Sequence, residues 1–215
     1  MICKTCGTPV SSLHDVCIAC GSTEVIADSA EVAKDTVMTA SKDALETFKL
    51  LMRDPAGNLG AVFSSLGEFR SCWVGILFGA LFALSVAIAC ASNVLGNKMH
   101  SGSGFLGAAA AYGVLIGSGR MVRHFYKLDG PFGREFFLSG AALLPVGCGL
   151  LLGAFLGVAS PQLFTLFLLA GISLSALMLQ NGLVSICGLP ESKARLVVPL
   201  MVGLAALSAS LFYQG

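Results

Sequence analysis

Charged side chains make up only 12% of the 215 residues, and from Cys72 onward they avoid five long stretches almost completely. Those stretches are Cys72 to Val94, Gly104 to Met121, Phe136 to Val158, Leu163 to Ile186 and Leu196 to Phe212. They hold no Lys, Arg, Asp or Glu except Arg120 at one edge. The lack of ionisable groups in their middles argues against an ion-coupled transporter or proton relay, which rely on such groups inside the membrane. Histidine is almost as rare: His14, His100 and His124 all stand outside the stretches. No Ser/His pair, aspartate pair or His-rich metal centre can be assembled there, so an enzyme is not expected. A basic start followed by a short apolar core, the mark of a cleavable leader, is not visible either; residues 1–20 carry four cysteines instead.

What fills the chain is apolar: 55% of residues are hydrophobic and the mean hydropathy is +0.83, too high for an ordinary soluble domain. Each stretch is 17 to 24 residues long, and about 20 helical residues cross a bilayer core roughly 30 Å thick. Five transmembrane helices are therefore expected. The positive charges fall on one side of them. Segments 1–71, 122–135 and 187–195 carry nearly all the Lys and Arg, whereas the opposite side has only Lys98. Positive charge stays inside, so the N-terminus is expected in the cytosol and the C-terminus outside.

The eight cysteines form two groups. Cys72, Cys90, Cys148 and Cys187 lie in or beside the apolar stretches and read as small packing residues. Cys3, Cys6, Cys17 and Cys20 lie in the polar head, as Cys3-Lys-Thr-Cys6-Gly7 and Cys17-Ile-Ala-Cys20-Gly21 with ten residues between the pairs. Cytosolic thiols stay reduced, which argues against a disulfide framework. Two residues between cysteines let both sulfurs face one ion, and the following Gly suits a tight turn. Two such knuckles give four thiolates in a tetrahedron, a closed structural Zn²⁺ shell. A redox-active pair or an iron centre remains open as an alternative, and His14 is a competing ligand that four cysteines make unnecessary. About 20 residues cannot bury enough core to fold without their metal, so binding and folding are expected to be one event. Residues 1–27 hold Lys4 against Asp15 and Glu24 and have no basic face, which disfavours nucleic acid as a partner.

The spacing over residues 1–22 resembles the short zinc-ribbon family found at the N-termini of many bacterial membrane proteins. Lys4 here stands where that family often has Pro, at a position that is not a ligand. A second resemblance covers residues 50–213. Arg53-Asp-Pro-Ala-Gly-Asn-Leu-Gly-Ala-Val-Phe63 and Phe137-Leu-Ser-Gly-Ala-Ala-Leu-Leu-Pro145 resemble segments of bacterial members of the Yip (Ypt-interacting protein) domain family. That resemblance implies a five-span fold with a cytosolic N-terminus and a role in membrane organisation. The acidic-aromatic and Gly-Tyr signatures of its eukaryotic members are not found here, so it does not imply a small-GTPase partner.

Between head and spans, residues 29–53 have the 3–4 apolar spacing of one amphipathic helix: Ala33, Val37, Ala40, Ala44, Phe48 and Leu51. Lys34, Asp35, Lys42, Asp43, Glu46, Lys49 and Arg53 are expected on its other faces. Either it is a cytosolic stalk, or it lies on the membrane with its Phe48 to Met52 end dipping in. Residues 55–71 suit a short interfacial helix. Within the spans, Gly75/Gly79, Gly113/Gly117 and Gly149/Gly153/Gly157 repeat at helix-packing spacing. Pro145 is expected to kink span three, and Pro199 to fall in the first turn of span five.

The expected architecture is an all-α polytopic membrane protein with five transmembrane helices and a small N-terminal zinc ribbon. Its parts are a ribbon (1–27), a linker helix (28–54), an interfacial segment (55–71) and a membrane domain (72–215). The expected function is a non-enzymatic integral membrane scaffold or adaptor. Its Cys3, Cys6, Cys17, Cys20 ribbon holds structural Zn²⁺ and docks a cytosolic protein, the spans sit in the lipid bilayer, and a homo-oligomer is compatible with both. The alternative is a channel or carrier for a small neutral or lipid-like solute.

Overall fold

The computed structural model describes residues 2, 3, 6, 20, 25, 26, 29–55, 57–92, 101–128, 130, 132–156 and 161–212. Among these, two short strands, β1 (Ile2–Cys3) and β2 (Val25–Ile26), pair antiparallel with Ile2 opposite Ile26 and Cys3 opposite Val25. Six helices follow: α1 Ser29–Arg53, α2 Leu59–Ala91, α3 Ser101–Phe125, α4 Gly133–Leu156, α5 Pro161–Ser185 and α6 Glu191–Ser210.

Helix α1 buries Ala40, Ala44, Thr47 and Leu51 at 3–4 spacing and packs on α2. Asp43, expected on a polar face, lies on this buried side at 6% exposure. The reason is Arg70 of α2, whose Nε donates to Asp43 Oδ2 at 2.7 Å while its Nη2 reaches Oδ1. A two-point guanidinium–carboxylate pair lets a carboxylate sit at a helix–helix seam. The helix ends where Asp54 Oδ1 accepts the Gly57 N–H at 2.8 Å and Asn58 Nδ2 donates to the Leu50 carbonyl at 3.2 Å.

Helix α2 is two helices in one. Gly67, at φ 71° and ψ 171°, breaks it in a region that a side chain makes costly. Residues 59–66 cross one end of the bundle: Leu59 lies against Gly182, Gly60 against Ser185, and Phe63 has its ring 5.7 Å from Phe137. Residues 68–91 then form a span about 36 Å long at 1.5 Å per residue.

The helices pack in the order α5–α4–α2–α3–α6, with further contacts between α3 and α4 and between α5 and α6. Of the most apolar window of each span, 67% is buried in α4 and 56% in α2, against 22% in α5 and in α6. Two central helices are therefore shielded by three that show most of their surface outward. Small residues set the central contact. A Cβ on Gly75 would run into the Phe136 backbone, and one on Gly140 into the Gly75 backbone. Gly149 and Gly171 do the same for α4 and α5, against the Phe167 and Pro145 carbonyls, both at 2.8 Å. The Gly113/Gly117 pair does not act this way: both face open space. Gly157 lies outside the described residues.

Three boundaries differ from the expectation. Helices α3, α4 and α6 run past the apolar stretches, so Arg123, Arg134, Glu135, Lys193 and Arg195 are helical residues rather than loop residues. Nothing in the backbone stops a helix where its side chains turn polar. Because α6 begins at Glu191, Pro199 falls inside it and not in its first turn. There it offers no N–H to the helix ladder. Pro145 likewise lies inside α4, which continues to Leu156.

Candidate functional site

The cysteine head is described only in part. Cys3 is on β1 opposite Val25; Cys6 is half-buried and Cys20 exposed, each at a turn. The β1–β2 pairing ties the two ends of the head together. Cys17 and the side chain of Cys3 lie outside the described residues, as does His14.

A second polar centre was not anticipated from the sequence. At the end of the bundle where α3 turns into α4, Arg123 Nη1 donates to Glu135 Oε1 at 2.5 Å, and each side chain is 1% exposed. Arg120 stands 3.9 Å from the same oxygen, half exposed, with its guanidinium 5.6 Å from the Phe132 ring centre. Arg134 donates to the Ile186 carbonyl at 3.2 Å, lies 3.7 Å from Glu68, and stacks 5.9 Å from the Phe63 ring. These contacts join α2, α3, α4 and the end of α5 through charge-assisted hydrogen bonds. Gly130 sits among the guanidiniums at φ 150°. Its Cβ position is 2.6 Å from Arg123 Nη2 and 2.9 Å from Arg134 Nη1, so a side chain there would push on both guanidiniums, and the backbone itself favours glycine. One signal could have revealed the pair: Arg123 lies two residues before the end of α3 and Glu135 two after the start of α4. Residues equally distant from a short turn between antiparallel helices come to the same level.

Cys187, in the turn between α5 and α6, is buried beside this cluster. Burial pushes its thiol up to about 11; Glu135 adds to the rise, while Arg123 and Arg134 oppose it. The reactive form is the thiolate, so below pH 9 it is about a hundredfold scarcer than for an ordinary thiol. We expect N-ethylmaleimide to leave Cys187 unmodified in folded protein at pH 7.5 and to modify it fully after denaturation, as read by peptide mass mapping. Rapid modification in the folded state would show that the α5–α6 turn opens.

Inside the spans several hydroxyls are spent on carbonyls. Tyr112 Oη donates to Gly75 O at 3.0 Å, with Phe136 O at 3.3 Å, just where α2 and α4 touch. Ser175 bonds across helices to the Ala142 carbonyl, and Ser85 to Leu81 O at 2.7 Å within its own helix. Gln180 is half-buried and Asn181 exposed, near the α5 end that approaches α2. A groove of about 190 Å³ runs between α1, α4 and α5, with a lining that is almost wholly apolar, including Leu51, Met52, Pro145, Cys148, Phe167 and Met178.

Five helices long and apolar enough to cross a membrane make this an all-helical, multi-pass membrane protein. No protein-family model, curated protein or solved structure matches the chain.

Proposed function

We propose that the chain is a non-enzymatic membrane scaffold, organised like the Yip domain family, whose N-terminal zinc ribbon docks a cytosolic protein. In this reading Cys3, Cys6, Cys17 and Cys20 hold one structural Zn²⁺, the N-terminus is cytosolic and the C-terminus lies outside. The observation that carries it is the way the span interior is closed. Helices α2 and α4 meet backbone to backbone at Gly75 and Gly140, and the hydroxyls of Tyr112 and Ser175 are bonded to carbonyls at the helix seams. A carrier needs an aqueous route and convergent polar groups, whereas the described interior offers packed apolar side chains. The apolar groove favours one version of the alternative, a lipid-like solute over a polar one.

Protein purified without chelators is expected to carry one zinc per chain by elemental analysis. Cys17→Ser should abolish the zinc and leave the spans inserted. In cells, crosslinking followed by capture should recover the same partner with the full chain and lose it with Cys17→Ser or on removal of residues 1–27. Zinc-free protein, or a partner held equally by all three forms, would rule out the docking role.

A further inference from the structure

Helix α1 presents a second face that nothing among the described residues covers. Met38, Leu45 and Met52 are 52%, 57% and 55% exposed and recur every seven residues. Seven residues are almost two full turns, so the three form one stripe that drifts only slightly around the axis. Directly beside it run Lys42, Lys49 and Arg53, all exposed. Over residues 38–53 the acidic side chains are Asp43, which is engaged by Arg70, and Glu46. The outward side of α1 is therefore an apolar stripe with a basic border. The packed side, with Ala40, Ala44, Thr47 and Leu51, points the other way.

The level of the helix is fixed independently by the groove. Met52 and Pro55 at the end of α1 share it with Leu144 and Cys148 of α4 and Leu174 and Met178 of α5. Met178 stands seven residues from the end of α5 at Ser185, about 10 Å along the axis. The end of α1 is thus level with the apolar part of the spans, where a stalk standing in water would not reach. Helices that lie in the headgroup boundary bury their apolar face about 5–10 Å deep.

We propose that α1 lies in the boundary of the leaflet at the charged end of the bundle and binds anionic phospholipid. Met38, Leu45 and Met52 enter the acyl chains. Lys42, Lys49 and Arg53 lay their methylene stems beside the stripe and carry their charges up to the phosphates. Continuity selects lipid over a protein partner: the groove at the end of α1 opens on the flank of α4 and α5, where its lining residues Leu152 and Leu174 are 47% and 40% exposed. Charge selects anionic lipid, because three cations border the stripe and Glu46 is the one exposed carboxylate among them. The inference rests on the spans being in a membrane and is independent of what residues 1–27 bind.

The test uses full-length protein in vesicles of phosphatidylcholine and phosphatidylglycerol with brominated acyl chains. Trp73 is the single tryptophan, so Trp73→Phe gives a silent background. In it, Leu45→Trp is expected to lose fluorescence several-fold to bromolipid and to resist aqueous acrylamide; Glu46→Trp should show the reverse. Met38→Trp repeats the measurement if the first variant does not fold. Quenching of the Leu45→Trp emission by acrylamide and not by bromolipid would overturn the proposal by placing the stripe in water. Protection from both quenchers would overturn it too, because a second copy or another protein would then cover the face. Changing Lys42, Lys49 and Arg53 to Gln together should weaken bromolipid quenching in the anionic vesicles. Equal quenching with and without these cations, and with and without phosphatidylglycerol, would refute the anionic-lipid assignment.

Discussion

Glu135→Leu should be among the most damaging single substitutions in the chain, lowering stability by about 3–5 kcal/mol. The carboxylate is held at 2.5 Å by a guanidinium as buried as itself, and Arg123 would be left in an apolar setting without its counter-charge. Arg123→Met should cost a similar amount, because it leaves the Glu135 carboxylate buried without its counter-charge. The double variant Arg123→Met/Glu135→Leu is expected to recover much of the loss, since an apolar pair of similar size can replace a buried ion pair at little cost. Unfolding in mixed micelles, followed by circular dichroism for the four forms of this cycle, measures the coupling. Strict additivity would mean that the two side chains do not act as a pair.

The second large effect is expected at the crossing of α2 and α4. Gly75→Ala and Gly140→Ala each put a methyl group into the facing backbone, which has no rotamer to give way. Each should destabilise by about 1–3 kcal/mol, and valine at either site by more. Separation of the helices would also pull Gly75 O away from Tyr112 Oη. Gly113→Ala and Gly117→Ala serve as the internal control. Both positions face open space within a helix, so alanine should be neutral or stabilising by up to about 1 kcal/mol through helix propensity. Thermal midpoints in one detergent would decide it, and equal losses at all four positions would remove the distinction drawn between the two glycine pairs.

The contrast between those pairs shows how far the chain could be read in advance. Apolar runs near 20 residues admit few other structures, so the spanning helices were legible, as was the 3–4 spacing of Ala40, Ala44 and Leu51 in α1. Spacing alone does not distinguish Gly75/Gly79 from Gly113/Gly117, because the same interval serves a helix seam or a lipid-facing surface. Asp43 looked like a surface residue until Arg70, 27 positions away, was placed beside it. Helix ends were misjudged wherever hydropathy stood in for backbone: Arg123, Glu135 and Lys193 continue helices because charge does not break them. The cysteine head was conspicuous in sequence because its repeated CxxCG spacing is local. The Arg123–Glu135 centre was not, because it exists only once two helices are set antiparallel.

That centre joins successive helices, and this bears on how the chain enters a bilayer during synthesis. Helices α3 and α4 can leave the insertion machinery as one hairpin. The cation on one arm and the anion on the other stand at the same depth, so the hairpin partitions with those two charges cancelled. Its order of arrival also fits the packing order. By the time α4 is complete, the central α2–α4 contact and its α3 neighbour are all present. Helices α5 and α6 then have prepared surfaces to join, on α4 and on α3 respectively. Synthesis halted after Leu156 would thus leave a three-helix intermediate with its ion pair already made and two lipid-exposed faces waiting for the last two helices.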